Sequence, residues 1–222
     1  MVKLDILSDP LCPWCYIGKA NLDRALESRP LHPFVIEWHP FQLNPDMPAG
    51  GLDRREYLEA KFGGRDKAVE AYANVQRHAE AAGLSIDFGR IERTPNTLDA
   101  HRLIHWAGLE GRQTAAVTAL FRGYFVEGRD IGVRQVLTEI AAGIGLDAGL
   151  IERLLAGDGD REEIAARDAH SRQAGVTGVP TFIVAQRHVV VGAQPPDLWQ
   201  SVIDELAGED APNGTPDAAG SA

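Results

Sequence analysis

The chain has 222 residues, of which 44% are hydrophobic and 24% charged, enough to bury a core without covalent staples. Its formal net charge of -10 repels phosphate backbones and anionic lipid headgroups, so neither nucleic acid nor membrane is expected as a partner. No run approaches the ~18 apolar residues that span a bilayer, and the chain enters a strand-like run at Val2 without a leader pattern, so a cytoplasmic location is expected.

Residues 2–7 read as a short apolar strand, broken by Ser8-Asp9-Pro10. A helical period follows over 14–27, with Ile17, Leu22, Ala25 and Leu26 on one side, and Pro30 and Pro33 close it. Residues 34–41 make a second strand, giving a β-α-β opening. From 53 to 175 the period is helical, with no convincing strand. Six or seven helices are expected there, near 53–62, 65–82, 96–110, 112–126, 133–144, 147–155 and 160–173. Asp53 and Asn96 are candidate N-caps, and Gly63-Gly64, Gly83, Gly111 and Gly143 candidate stops. Strands return at 181–184 and 188–191, at hairpin spacing, before a last helix over 196–207. The remaining 208–222 has little to bury and reads as a disordered tail.

Neither outer piece has enough strands to form a core by itself. Residues 1–50 and 176–207 are therefore expected to combine into one discontinuous α/β sheet domain, with 51–175 inserted as an all-helical domain.

The chain has two cysteines, Cys12 and Cys15, three positions apart between the first strand and the first helix. In a reducing compartment such a pair points to catalysis or metal binding more than to a structural cystine. Free amides and the positive end of the helix dipole favour an anion at a helix start, so Cys12 is the favoured thiolate. Pro13 suits the first helical position, where its missing N–H costs nothing. Cys15 lies one turn along, within reach for a disulfide. Cys12 then attacks a substrate disulfide and Cys15 resolves the mixed disulfide, whereas Cys12 alone could shuffle disulfides. Zinc would need about four ligands; His39, His101 and His105 would have to complete the set, and no metal is expected.

A second signal is Gly175-Val176-Thr177-Gly178-Val179-Pro180-Thr181. A proline at the mouth of a strand after glycine-rich turn chemistry suits either a cis peptide that exposes backbone to an extended substrate or a trans proline opening an edge strand.

Together, C-x-x-C at a strand-to-helix junction and T-G-V-P-T before a hairpin and a terminal helix resemble the thioredoxin superfamily. The helical block resembles the insertion of its DsbA branch. The stretches D-I-L-S-D-P-L-C-P-W-C-Y-I-G-K, E-W-H-P-F-Q-L-N-P-D-M-P and T-P-N-T-L-D-A-H-R-L-I resemble the FrnE-like subfamily of cytosolic dithiol oxidoreductases and isomerases, over nearly all of the chain up to Leu206. The resemblance implies a thioredoxin-like fold with a large helical insertion, Cys12 as nucleophile, Cys15 as resolving thiol and Pro180 as a cis-proline. It makes Val179, which precedes that proline, a residue that faces the disulfide, and Pro13 and Trp14 further substrate contacts. Pro13-Trp14 differs from the Pro-His of DsbA, and without an imidazole there a strongly oxidising potential is not implied. Asp5 is the nearest match to the acid that accepts the second cysteine's proton in DsbA, offset by one residue; a solvated strand-end acid is the other account of it.

Other residues have plainer readings. Trp38, His39, Phe41 and Gln42 belong to the second strand and its exit, where aromatic residues most often pack. Asn96 is first a helix cap. His101 and Trp106 share its helix, which in the resembling family packs over the redox site. The acid-rich 158–163 lacks calcium-loop spacing and reads as a solvated helix start.

The expected substrates are disulfide-containing proteins or small thiol compounds, with no cofactor beyond the Cys12–Cys15 redox pair and glutathione as a conceivable co-substrate. The oligomeric state is left open between monomer and homodimer. A competing reading comes from another branch of the fold, the 2-hydroxychromene-2-carboxylate isomerases and kappa glutathione transferases, where a serine stands in place of Cys12 and glutathione is bound. Cysteines at both positions favour the redox reading.

Overall fold

The structure, a computed structural model, describes residues 1–209. Four strands form one sheet in the order β2-β1-β5-β6: β1 (Val2–Ser8), β2 (Phe34–Pro40), β5 (Thr181–Val184) and β6 (His188–Val191). Central β1 runs parallel to β2, with Ile6 opposite Trp38, and antiparallel to β5, with Ile6 opposite Phe182. A strand flanked on both sides must bury both faces. Accordingly Leu4 and Ile6 are fully buried on one face, and Asp5 and Leu7 are nearly so on the other. β5 and β6 close as a hairpin whose turn holds Ala185 and Gln186 at φ 53° and 57°, the left-handed pair that matches strand twist.

Helix α1 (Pro13–Ser28) follows β1 directly and packs on α9 (Pro196–Glu209), placing Trp199 edge-on to Phe182 at 4.7 Å between ring centroids. Between the two halves of the sheet lie seven helices: α2 (Arg54–Phe62), α3 (Arg65–Ala81), α4 (Leu98–Leu109), α5 (Gln113–Phe125), α6 (Arg134–Gly143), α7 (Ala148–Ala156) and α8 (Arg161–Gln173). One continuous buried cluster joins Leu4 and Ile6 of the sheet to Leu103, Phe121 and Leu137 of these helices.

Several element ends differ from those expected. Residues 52–53 and 93–94, read as helical or loop, pair as a two-residue antiparallel ladder of β3 (Leu52–Asp53) and β4 (Arg93–Thr94). A ladder this short carries no periodicity to detect. Thr97 rather than Asn96 occupies the N-cap of α4, although Asn96 still accepts from the Leu98 N–H at 2.9 Å. Gly143 lies inside α6, and the left-handed turn falls at Gly145, φ 81°. Helix α9 runs two residues into the expected tail, and the rest of that tail lies outside the described residues.

The sheet's two edges differ. On β2, the Gln113 side chain accepts from the Trp38 N–H at 2.8 Å and donates to the Trp38 carbonyl at 3.0 Å, as a neighbouring strand would. On β6, Val189 and Val191 face outward and are exposed.

Candidate active site

Cys12 is the N-cap residue of α1, with extended backbone at φ -85°, ψ 114° and Pro13 at the first helical position. Its carbonyl accepts the N–H groups of Cys15 and Tyr16 at 3.1 and 3.2 Å, so the pair brackets the first turn. The Val179–Pro180 peptide bond is cis, and the Cys12 thiol donates to the Val179 carbonyl at 3.7 Å. Gly18 lets the helix come this close: a Cβ there would sit 3.1 Å from Pro180 Cγ and 3.4 Å from Phe182 Cζ. Both thiols are free and buried. Cys12 nevertheless lines a cavity of about 370 Å³, together with Pro13, Trp14, Gly178 and Val179. The far wall comes from α2 and α3, through Arg54, Lys61 and Tyr72 among others.

Cys15 is walled in. Burial first, then the adjacent Cys12, pushes its thiol well above the ordinary range, while the Asp9 N–H and the Ser8 hydroxyl pull the other way. It is therefore protonated near pH 7.

Beneath the pair is a polar floor that sequence reasoning missed. Asp9, fully buried, accepts from the Leu43 N–H at 2.6 Å and the Leu11 N–H at 3.3 Å, tying the cysteine loop to the segment after β2. Burial pushes its carboxyl up to about 7, against these donors and the Thr97 hydroxyl, with Asp168 adding repulsion. His101 of α4 approaches from behind, its Nε2 3.8 Å from an Asp9 oxygen and without a hydrogen bond. Burial, then Arg167, pushes His101 down to about 3, so it is neutral near pH 7 and the contact is not an ion pair. Asp168 accepts from the Gln42 N–H at 2.7 Å, and Arg172 joins Asp168 to the Gln42 carbonyl. An Asp in a turn ordinarily looks solvated. The one local hint of this floor was its position, just before the C-x-x-C.

Asp5 is placed elsewhere than expected. Its carboxylate meets Lys3 Nζ at 2.9 Å and His39 Nε2 at 2.7 Å, and none of its hydrogen-bond partners is a cysteine. The acid adjoining Cys15 is Asp9. His39 thereby belongs to a charged network, its Nδ1 facing Arg167 at 3.3 Å, while the Trp38 indole donates to Thr114 at 2.9 Å. The Trp106 indole donates to Asp160 at 2.7 Å and stacks under Arg102, both structural roles. Arg102, unremarked in the sequence, is fully buried. It pairs with Asp99 at 2.8 Å and donates to the carbonyls of Leu154, Gly157 and Gly159, which closes the end of α7.

Two groups of side chains bring metal-type donors together among the described residues, Asp5-Glu37-His39 and His105-Asp160-Glu163; neither contains a cysteine. In the first, Lys3 already bridges both carboxylates at 2.9 Å.

The family model of the DSBA-like thioredoxin domain matches residues 3–204. The chain belongs to that family. A probable DsbA oxidoreductase, SCO1869 of Streptomyces coelicolor, superposes with a TM-score of 0.83 at 32% identity, over 98% of this chain and 95% of that one. Protein YwbO of Bacillus subtilis (strain 168) is 29% identical over 206 residues, 92% of this chain and 96% of that protein. The cytosolic disulfide reductase DsbM of Pseudomonas aeruginosa, solved with GSH, shares the fold at TM-score 0.67 and 22% identity, over 93% and 99% of the two chains. As a DSBA-like thioredoxin domain, the chain has an oxidoreductase-type fold with its C-x-x-C on the first helix. Among the described residues, no helix is long and apolar enough to cross a membrane.

Proposed function

We propose that this chain is a thiol–disulfide oxidoreductase in which Cys12 is the nucleophile and Cys15 the resolving thiol. The observation that carries the reading is the position of Cys12. It caps α1, touches the Val179 carbonyl beside cis-Pro180 and borders a cavity. The Cys12 thiolate attacks one sulfur of a substrate disulfide, that S–S bond breaks, and the first thiolate leaves and takes a proton. Cys15 then gives up its proton and displaces the second thiol, so that two electrons pass to the substrate and the Cys12–Cys15 disulfide remains. Asp9, whose own N–H acts on the Cys15 sulfur and whose carboxyl is raised to about 7, is suited to accept that proton near neutrality. Asp5, engaged by Lys3 and His39, is not. Val179 and Pro180 offer backbone beside the reacting sulfur, and Pro13 and Trp14 border the same space.

A return to the dithiol form requires two equivalents of a thiol reductant, and glutathione is the natural candidate in a cytoplasmic setting. Both proposals draw support from the GSH-bound cytosolic reductase of the same fold. A cavity of about 370 Å³ suits small disulfides as substrates. A 2-hydroxychromene-2-carboxylate isomerase also shares the fold, at TM-score 0.71 and 16% identity, but the isomerase reading wants a serine where this chain has Cys12.

The test is insulin reduction by dithiothreitol with wild type, Cys12→Ser, Cys15→Ser and Pro180→Ala. Cys12→Ser is expected to be inactive and Cys15→Ser to accumulate a mixed disulfide visible as added mass. Pro180→Ala is expected to turn over more slowly while unfolding near the wild-type midpoint. Full activity in Cys12→Ser would refute the reading.

A further inference from the structure

In a chain of net charge -10, the cavity beside Cys12 is lined by two cations, Arg54 and Lys61, and by no acidic side chain. Arg54 is the first residue of α2 and is only 7% exposed. Its Nη1 donates to the Tyr124 hydroxyl at 3.1 Å, and its guanidinium lies 4.9 Å from the centre of the Tyr72 ring and 5.6 Å from that of Phe88. Nη2 is buried and has no hydrogen-bond partner. No carboxylate pairs with Arg54 among the described residues. The adjacent acid, Asp53, is committed to capping α2 through the Glu56 N–H at 3.0 Å. Lys61 likewise has no acidic partner among the described residues, its Nζ donating to the Tyr57 hydroxyl at 2.9 Å.

A buried guanidinium is ordinarily matched by an anion, because an unpaired charge in a low-dielectric site is strongly disfavoured. A tie between α2 and Tyr124 alone would not require a charge. Arg54 borders a second cavity of about 590 Å³, but there Asp53, Glu59 and Glu92 already balance the arginines. The imbalance is confined to the cysteine side, and the start of α2 adds a positive helix end to it.

We propose that the small disulfide taken by Cys12 carries a carboxylate, received by Arg54 with Lys61 as the second cation. The inference rests on the dithiol reading and adds the charge of its substrate. Binding pairs the buried guanidinium as the Cys12 sulfur forms its bond to the substrate. The substrate S–S bond then breaks, and the carboxylate-bearing thiolate leaves and is protonated from water.

The test is a single turnover of pre-reduced enzyme, freed of reductant, against three small disulfides: anionic 3,3′-dithiodipropionate, neutral bis(2-hydroxyethyl) disulfide and cationic cystamine. Oxidation of the pair is followed by acid quench and mass, and each rate is divided by that of free dithiothreitol with the same disulfide, which removes intrinsic reactivity. Wild type is expected to prefer the anionic over the neutral compound by about tenfold, as for one charge-assisted hydrogen bond, with cystamine slowest. The anionic-to-neutral ratio should fall towards one in Arg54→Gln and be partly kept in Arg54→Lys. Equal normalised rates in wild type overturn the proposal, as does a preference that survives Arg54→Gln. Should Arg54→Gln not fold, the wild-type series together with Lys61→Gln decides. Failure to react with any of the three disulfides sinks the dithiol reading itself, whereas reaction without charge preference sinks only the carboxylate.

Discussion

Asp9 and His101 are buried side by side and displaced in opposite senses, which has a measurable effect on stability. His101 is held at about 3, below its ordinary ~6.5. Between those values the unfolded chain binds one more proton at this site than the folded chain, so acidification destabilises. Asp9 is raised from 3.8 to about 7, so over that range the folded chain binds the extra proton and acidification stabilises. Each slope is ~1.4 kcal/mol per pH unit, and over the shared window of about pH 4 to 6.5 the two cancel. Removing one partner uncovers the other. Relative to wild type, His101→Leu should gain roughly 3 kcal/mol between pH 6.5 and 4.5, and Asp9→Asn should lose a similar amount. Urea unfolding followed by tryptophan fluorescence at several pH values in that range measures both, and all other titrations are common to the three proteins. Variants whose stability runs parallel to wild type across the range would show that neither shift exists.

Two further substitutions probe the frame around the site. Gly18→Ala places a methyl 3.1 Å from Pro180 Cγ and should cost ~1 to 3 kcal/mol in urea unfolding while slowing insulin reduction, since α1 must move off the cis-proline loop. Arg102→Met takes the donor from the carbonyls of Leu154, Gly157 and Gly159 and leaves Asp99 with Arg161 alone, and should cost about 1 to 3 kcal/mol; an unchanged unfolding midpoint would mean that water or other donors replace it.

Elements whose signal is local were legible in the sequence. The hairpin of β5 and β6 follows from two β-branched runs three residues apart, and the seven helices from their apolar period, with Asp53 capping α2 as expected. The ends were less so. Asn96 and Thr97 are adjacent and both can cap, and Gly143 and Gly145 differ only in which one the chain turns at. Within the site, Cys12, Cys15 and Pro180 stand in short motifs, and the structure brings Cys12 and Val179-Pro180 together. Asp9, His101 and Arg54 were not legible as a buried acid, a neutral histidine and an unpaired cation. Those properties come from burial by segments distant in sequence, and a polar residue in a turn or at a helix start looks the same whether solvated or enclosed. Asp5 shows the converse: a family pattern one residue out of register pointed to it, and pairing with Lys3 and His39 accounts for it.

The Gln113 amide that occupies both backbone groups of Trp38 makes the sheet one-sided towards other chains. A strand arriving from a second molecule meets a side chain already bonded in its place along β2, whereas on β6 the Gln194 amide takes only the Val191 carbonyl, at 2.8 Å, and the backbone of exposed Val189 has no such bond among the described residues. Replacing Gln113 by a residue that cannot form both bonds would open a second growth edge, and with it a route to linear stacking of molecules that the native sheet closes.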